Sequence, residues 1–299
     1  MEKYIISGGC SYFHKSISTI MDILGYSFHN TEVVNIDCPA GSNKYISESI
    51  VLCVDSLLKS GISNENIIVI NNFTQIGRFS PIVPNEIKNE VETNLKPTEK
   101  RQIKDFKYTF YNSFVQVQDR MYSLMIGNDG LSSTAKDWYN EQEYNIETQK
   151  RFENNFEEYL ENILILQTYL KSNNIKNLSF LMNNVFDGWK YDFSHVYNTV
   201  NKWELPSTNN TLHISNISSF AKSLWDMIDL DSFVFYETKD NKYGGIDEYF
   251  INKFGDTSYL EDTPQHPHQF YSNHPNEDVY KSFTNDLMKS KIEKWKQNI

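Results

Sequence analysis

The sequence predicts an α/β fold with a mainly parallel sheet in three α/β/α layers, and three features lead to that reading. Apolar runs end in glycine or polar residues at Tyr4-Ile5-Ile6-Ser7-Gly8-Gly9, Val33-Val34-Asn35-Ile36-Asp37 and Ile67-Ile68-Val69-Ile70-Asn71-Asn72. Continuous apolar runs of this length suit strands buried on both faces, as parallel strands are. Between and after them, residues 16–24, 46–58 and 152–171 repeat their apolar positions at helical spacing. No repeat or long linker divides the chain, so residues 1–299 read as one domain.

The first strand, Tyr4 to Ser7, meets Gly8-Gly9, which supply backbone conformations that a Cβ resists, and then Cys10-Ser11. A second strand is predicted over residues 32–37, a turn over 38–43 and a helix over 46–58 ending near Gly61. The third strand, residues 66–72, leads into Phe73-Thr74-Gln75 and Arg78. Residues 84–150 change character: they are charged, rich in aromatics such as Tyr108, Phe110 and Trp138, and mixed in helical periodicity. They read as a helical, aromatic insertion that either covers the strand ends as a lid or enlarges the body. The βα rhythm then returns with a helix at 152–171, a strand at 177–183, a helix at 218–229 and a strand at 232–236. Gly244-Gly245 opens a short helix, and the last helix is predicted over 277–296.

Composition excludes some functions. A net charge of −11 opposes general binding of nucleic acid or anionic membrane. The start Met1-Glu2-Lys3 has no basic, apolar leader and no segment is apolar enough to span a bilayer, so a cytoplasmic protein, not exported by the general secretory route, is expected. The three cysteines, Cys10, Cys38 and Cys53, are odd in number and lack metal-knuckle spacing, which fits reduced thiols. Asn-x-Ser/Thr triplets at Asn177, Asn209 and Asn216 matter only on a eukaryotic secretory route, which nothing else in the sequence supports.

In a parallel sheet, ligands bind beyond the carboxyl ends of the strands, so Ser11, Gly41, Asn43 and the segment from Asn72 to Gln75 are candidates for one site. Ser11 stands near a helix N-terminus, where it either acts as a nucleophile or simply caps the helix. Far along the chain, Gln265-His266-Pro267-His268 and Ser272-Asn273-His274-Pro275-Asn276 precede the last helix. Pro275 holds His274 at the helix entrance, a suitable position for a general base. The three histidines have no accompanying cysteine and only a loose carboxylate set, so neither a metal nor another cofactor is expected.

Gly9-Cys10-Ser11 after the first strand, Gly41-Ser42-Asn43 after the second and His274-Pro275-Asn276 before the last helix together resemble the SGNH/GDSL hydrolases. The likeness is to phage-type members, in which Gly-Cys-Ser often replaces Gly-Asp-Ser. It covers about the first eighty and the last sixty residues. It implies a flavodoxin-like fold and a serine esterase or deacylase acting on an acylated small molecule or glycan, with Ser11 as nucleophile and His274 as base. A serine needs a neighbouring imidazole to remove its proton, and the resulting oxyanion needs donors aimed at it. The resemblance assigns the Ser11 and Gly41 N–H groups to that hole, with Asn72, Thr74 or Gln75 as the third donor, and matches Arg78 to an arginine whose purpose it does not explain.

One departure is large. The acid three residues before the family's histidine is Tyr271 here. Either Asp262 or another carboxylate reaches His274, a backbone carbonyl orients the ring in a Ser-His dyad, or the chain keeps the fold for binding, as an inactive or structural protein of a phage virion. The partners expected are accordingly an acylated substrate, further copies of the chain, or other virion proteins.

Overall fold

The computed structural model describes residues 3–9, 31–36, 42–74, 100–103, 106–110, 152–182, 184, 186, 218–239, 241–255 and 275–297. In chain order the elements are β1 (Lys3–Gly8), β2 (Thr31–Asn35), α1 (Asn43–Lys59), β3 (Ile67–Phe73), β4 (Lys100–Ile103), β5 (Phe106–Phe110), α2 (Phe152–Ser172) and β6 (Lys176–Leu181). There follow α3 (Ser219–Met227), β7 (Phe233–Val234), β8 (Tyr236–Thr238), β9 (Asn241–Gly244), α4 (Ile246–Lys253), α5 (Glu277–Phe283) and α6 (Lys289–Gln297), the last two joined by a π-helical turn over Thr284–Met288. Among the described residues no helix is long and apolar enough to cross a membrane.

The main sheet runs β4-β5-β2-β1-β3-β6-β7. All its pairings are parallel except β4–β5. Alternation along each strand divides the interior in two, because successive side chains leave opposite faces. Ile6, Val34, Val69 and Leu181 pack on one face against Ile50 of α1, Ile163 of α2 and Trp225 of α3. Ile5, Val33, Ile68, Phe180 and Val234 pack on the other against Tyr249 of α4, Val279 and Phe283 of α5 and Ile292 of α6. Helices thus cover both faces, as the apolar runs in β1 and β3 require.

The helices are pinned by specific polar contacts. Ser42 accepts the Tyr45 N–H at 3.1 Å and starts α1 three residues before the predicted position. The Ser47 hydroxyl on α1 donates to the Asn162 carbonyl on α2 at 3.0 Å. Gln167 braces the turn after α3, donating to Asp229 O at 2.9 Å and accepting the Asp229 N–H at 3.0 Å.

Several expectations change. Gly8 closes β1 in extended conformation; its lack of a side chain serves packing, because a Cβ would lie 2.7 Å from Ile50 Cδ1. Where a helical insertion was expected at 84–150, the described part is the β4–β5 pair, which extends the sheet beside β2. The reason is a period of two: Phe106, Tyr108 and Phe110 alternate with Lys107 and Thr109. The strand expected at 232–236 breaks at Phe235 into β7 and β8, and β8 pairs with β9 in a separate hairpin. The last helix carries the π turn, and Tyr249 OH lies 2.7 Å from both Ser282 Oγ and Asp286 Oδ2 on either side of its start.

Candidate functional site

The carboxyl ends of β2, β1, β3 and β6 carry polar side chains in an otherwise apolar sheet. Ser7, Asn35, Asn71, Asn72 and Ser179 are all fully buried there, and Thr74 follows at the end of β3. Burying amides and hydroxyls away from water is costly unless they find partners, so their bonds define what this edge is built to hold. Asn71 Oδ1 accepts the Ser179 hydroxyl at 2.8 Å across β3 and β6. The Asn72 amide lies on the opposite face and points along the ladder toward Phe180 O at a long 3.5 Å.

Asn43, the first residue of α1, clamps the segment after β3. Its Oδ1 accepts the Thr74 N–H at 2.8 Å and its Nδ2 donates to Thr74 O at 3.3 Å. The side chain therefore positions a neighbouring loop. Asn43→Ala is expected to lower stability by about 2 kcal/mol, about one for each hydrogen bond lost. Asn43→Asp keeps the acceptor and is expected to lose about half of that. Urea unfolding midpoints measure both, and a midpoint equal to wild type for the alanine variant would show that the clamp contributes nothing.

After β6 the chain is held by α4. Glu248 is buried, and its two oxygens accept the Asn184 N–H at 2.8 Å and the Gly245 N–H at 2.7 Å. The second bond covers the start of α4, where N–H groups lack helical partners. The Asp247 N–H bonds Met182 O at 2.9 Å, so the helix entrance docks on the end of β6. Two residues past Asn184, Phe186 is fully buried against Trp225, with ring centroids 4.5 Å apart.

Burial pushes the Glu248 carboxyl up from 4.5 to about 7, against the opposing pull of its backbone N–H donors. Because the folded value exceeds the unfolded one, this group's contribution to stability is fully present below about pH 4.5 and lost as pH rises through about 7. The difference corresponds to about 3 kcal/mol. Urea midpoints for wild type are expected to fall between about pH 5 and pH 8 more steeply than those of Glu248→Gln, which has no proton to lose. Parallel profiles would exclude the effect.

The last helix reaches the same edge. Phe283 of α5 meets Phe180 near the end of β6 at 5.7 Å, while Lys291 of α6 contacts Asp231 O and Phe233 O at the start of β7. The first turn of α5 is capped by Asn276 through the Asp278 and Val279 N–H groups.

Of the sequence-predicted site residues, the structure brings together Asn43 and Thr74 and sets Asn72 on the same edge. Thr74 is poorly disposed to donate to an oxyanion: its N–H is taken by Asn43 and its hydroxyl faces Met182 Sδ at 3.9 Å. Ser11, Gly41, Gln75, Arg78, Asp262 and His274 lie outside the described residues. Described residues adjoin several of them, since Gly9, Ser42, Thr74 and Pro275 are buried at the ends of their elements. The sequence reading missed Glu248 and Asn184; a glutamate three residues after Gly245, at the third position of the helix, was the available signal. Among the described residues, no three His, Cys, Asp or Glu side chains are grouped so as to hold a metal ion. Compared with protein-family models, curated proteins and solved structures, the chain matches none.

Proposed function

We propose that the chain is a serine hydrolase of the SGNH type, cleaving an acyl ester or amide on a small molecule or glycan. Support comes from one observation above the rest, the strand order. Taken without β4 and β5, the sheet reads β2-β1-β3-β6-β7, the order 2-1-3-4-5 of flavodoxin-like doubly wound sheets. In such sheets the ligand crevice opens beyond the carboxyl ends at the switch between the first and third strands. Ser11 follows β1 and Gln75 follows β3 in the sequence, the two strands that form that switch. The last helix directly follows His274-Pro275-Asn276.

In this reading His274 takes the Ser11 hydroxyl proton as the oxygen attacks the acyl carbon, and returns it to the departing alcohol or amine. The Ser11 and Gly41 N–H groups, with a side-chain amide from Asn72 or Gln75, would receive the negative charge on the former carbonyl oxygen. Asn43 holds the segment leading into Gln75, which gives it a supporting role. Asp262 remains the proposed acid.

Labelling with a serine-directed fluorophosphonate tests the proposal. The folded protein is expected to take up one label, mapped to the peptide containing Ser11, and the urea-denatured protein none. Absence of label from the folded protein would retire the hydrolase in favour of a binding or virion-structural protein, a reading that Tyr271 in the acid's place already favours.

A further inference from the structure

The last strand of the sheet, β7, forms an edge among the described residues: it pairs with β6 on one side through Ser179↔Phe233 and Phe180↔Val234. Its two residues, Phe233-Val234, with Phe235 directly after them, are aromatic or β-branched and uncharged. Such a run at an open edge offers main-chain groups to any strand that approaches, and identical chains are the most abundant source of such strands.

The main-chain groups of this edge are already occupied from within. The Phe233 N–H bonds Leu230 O in the preceding tight turn. Lys291, reaching across from α6, donates its ammonium to Asp231 O at 3.1 Å and to Phe233 O. Phe233 O belongs to the strand and Asp231 O to the 3-10 turn that leads into it. The ammonium therefore sits against Phe233 O, where an N–H of an added strand would bond. Lys291 is partly buried and its pKa is held below the ordinary lysine value by desolvation, so it is committed to this position at some cost in hydration. Beside it lies an open cavity of about 460 Å³, lined by Phe233, Val234, Phe235, Glu237, Lys242 and Tyr243 among others, which leaves room for an extended segment.

We propose that Lys291 is an edge guard, which keeps β7 from adding a strand from a second copy of this chain. Charged residues turned in over a sheet edge are a recognised means of blocking such pairing. Here the guard comes from a different element, so its hold depends on α6 staying docked.

Lys291→Met tests this, because methionine keeps an apolar stem and removes the donors, while Lys291→Arg keeps donors. Sedimentation velocity of the full chain across a concentration series is the readout, with far-ultraviolet circular dichroism to verify folding. The methionine variant is expected to remain folded and to show a concentration-dependent rise of about twofold or more in weight-average mass over wild type. Its Phe233–Phe235 amides should gain hydrogen-exchange protection, and the arginine variant should follow wild type. A folded methionine variant that sediments as wild type does overturns the proposal. Should that variant fail to fold, Lys291→Gln is measured instead: self-association there supports the guard. Wild-type sedimentation, or loss of fold in both variants, overturns it.

Discussion

Gly245→Ala is expected to lower stability by about 3 kcal/mol or more and the melting temperature by roughly 6 °C or more. Gly245 lies between β9 and α4, where the chain passes against the end of β6. A methyl group there would be driven into Leu181 O and would lie 2.7 Å from both Met182 C and Met182 O. These are backbone atoms of a strand paired with β3 and cannot turn aside as a side chain tip does. Relief requires α4 to withdraw, which would also stretch the Asp247 N–H bond to Met182 O and the Glu248 bond to Asn184. Gly8→Ala is a useful contrast: its added methyl would crowd the Ile50 side chain, which can shift, and touch Ile36 Cδ1 at an ordinary 3.6 Å, so a smaller loss is expected. Thermal melts of both variants decide the matter, and equal losses would show that the approach at Gly245 relaxes without cost.

Ser11→Ala is expected to reduce hydrolysis of short-chain p-nitrophenyl esters by about a thousandfold or more while leaving the melting temperature unchanged. In the proposed hydrolase, removing the attacking oxygen would leave only binding and the oxyanion donors, which give a small residual acceleration. His274→Ala should produce a loss of similar size, and the double variant little more, because nucleophile and base act as one unit. The Tyr271 substitution sets the wild-type starting point: a serine–histidine pair whose ring no acid orients is expected to be slower by several powers of ten. Asp262→Asn separates the cases, costing activity only where that carboxylate holds the ring. Ester turnover unchanged in Ser11→Ala would remove the serine from the chemistry.

The parallel heart of the fold was legible because β1 and β3 are buried on both faces and must be apolar throughout. Ile5 and Ile6, or Ile68 and Val69, enter different cores yet read as one run. The edge strands were less legible. β5, next to the edge, alternates aromatic and polar residues within a charged stretch and presents no run, while residues 232–236 read as one strand although only Phe233–Val234 join the main sheet. At the candidate site, the polar strand ends were visible, but their partners were not. Asn43 meets Thr74 across 31 residues of sequence and Glu248 meets Asn184 across 64, and no local pattern encodes such pairs. The π turn was hidden for another reason: its sequence, Thr284-Asn285-Asp286-Leu287-Met288, continues the helical periodicity, and the extra residue becomes evident only where Ser282 and Asp286 both reach Tyr249.

The pairing of β3 with β6 joins Asn72 to Phe180, residues 108 apart in the chain. A minimal strand–helix–strand crossover needs about 30 residues, and loop-closure entropy grows by only about 0.6 kcal/mol for each doubling of length. The long excursion therefore burdens the sheet with about 1 kcal/mol, less than a single leucine-to-alanine change in either core. Lengthening it further costs almost nothing, so the chain can gain or lose sequence between β3 and α2, outside β4 and β5, over evolutionary time at little cost to the sheet.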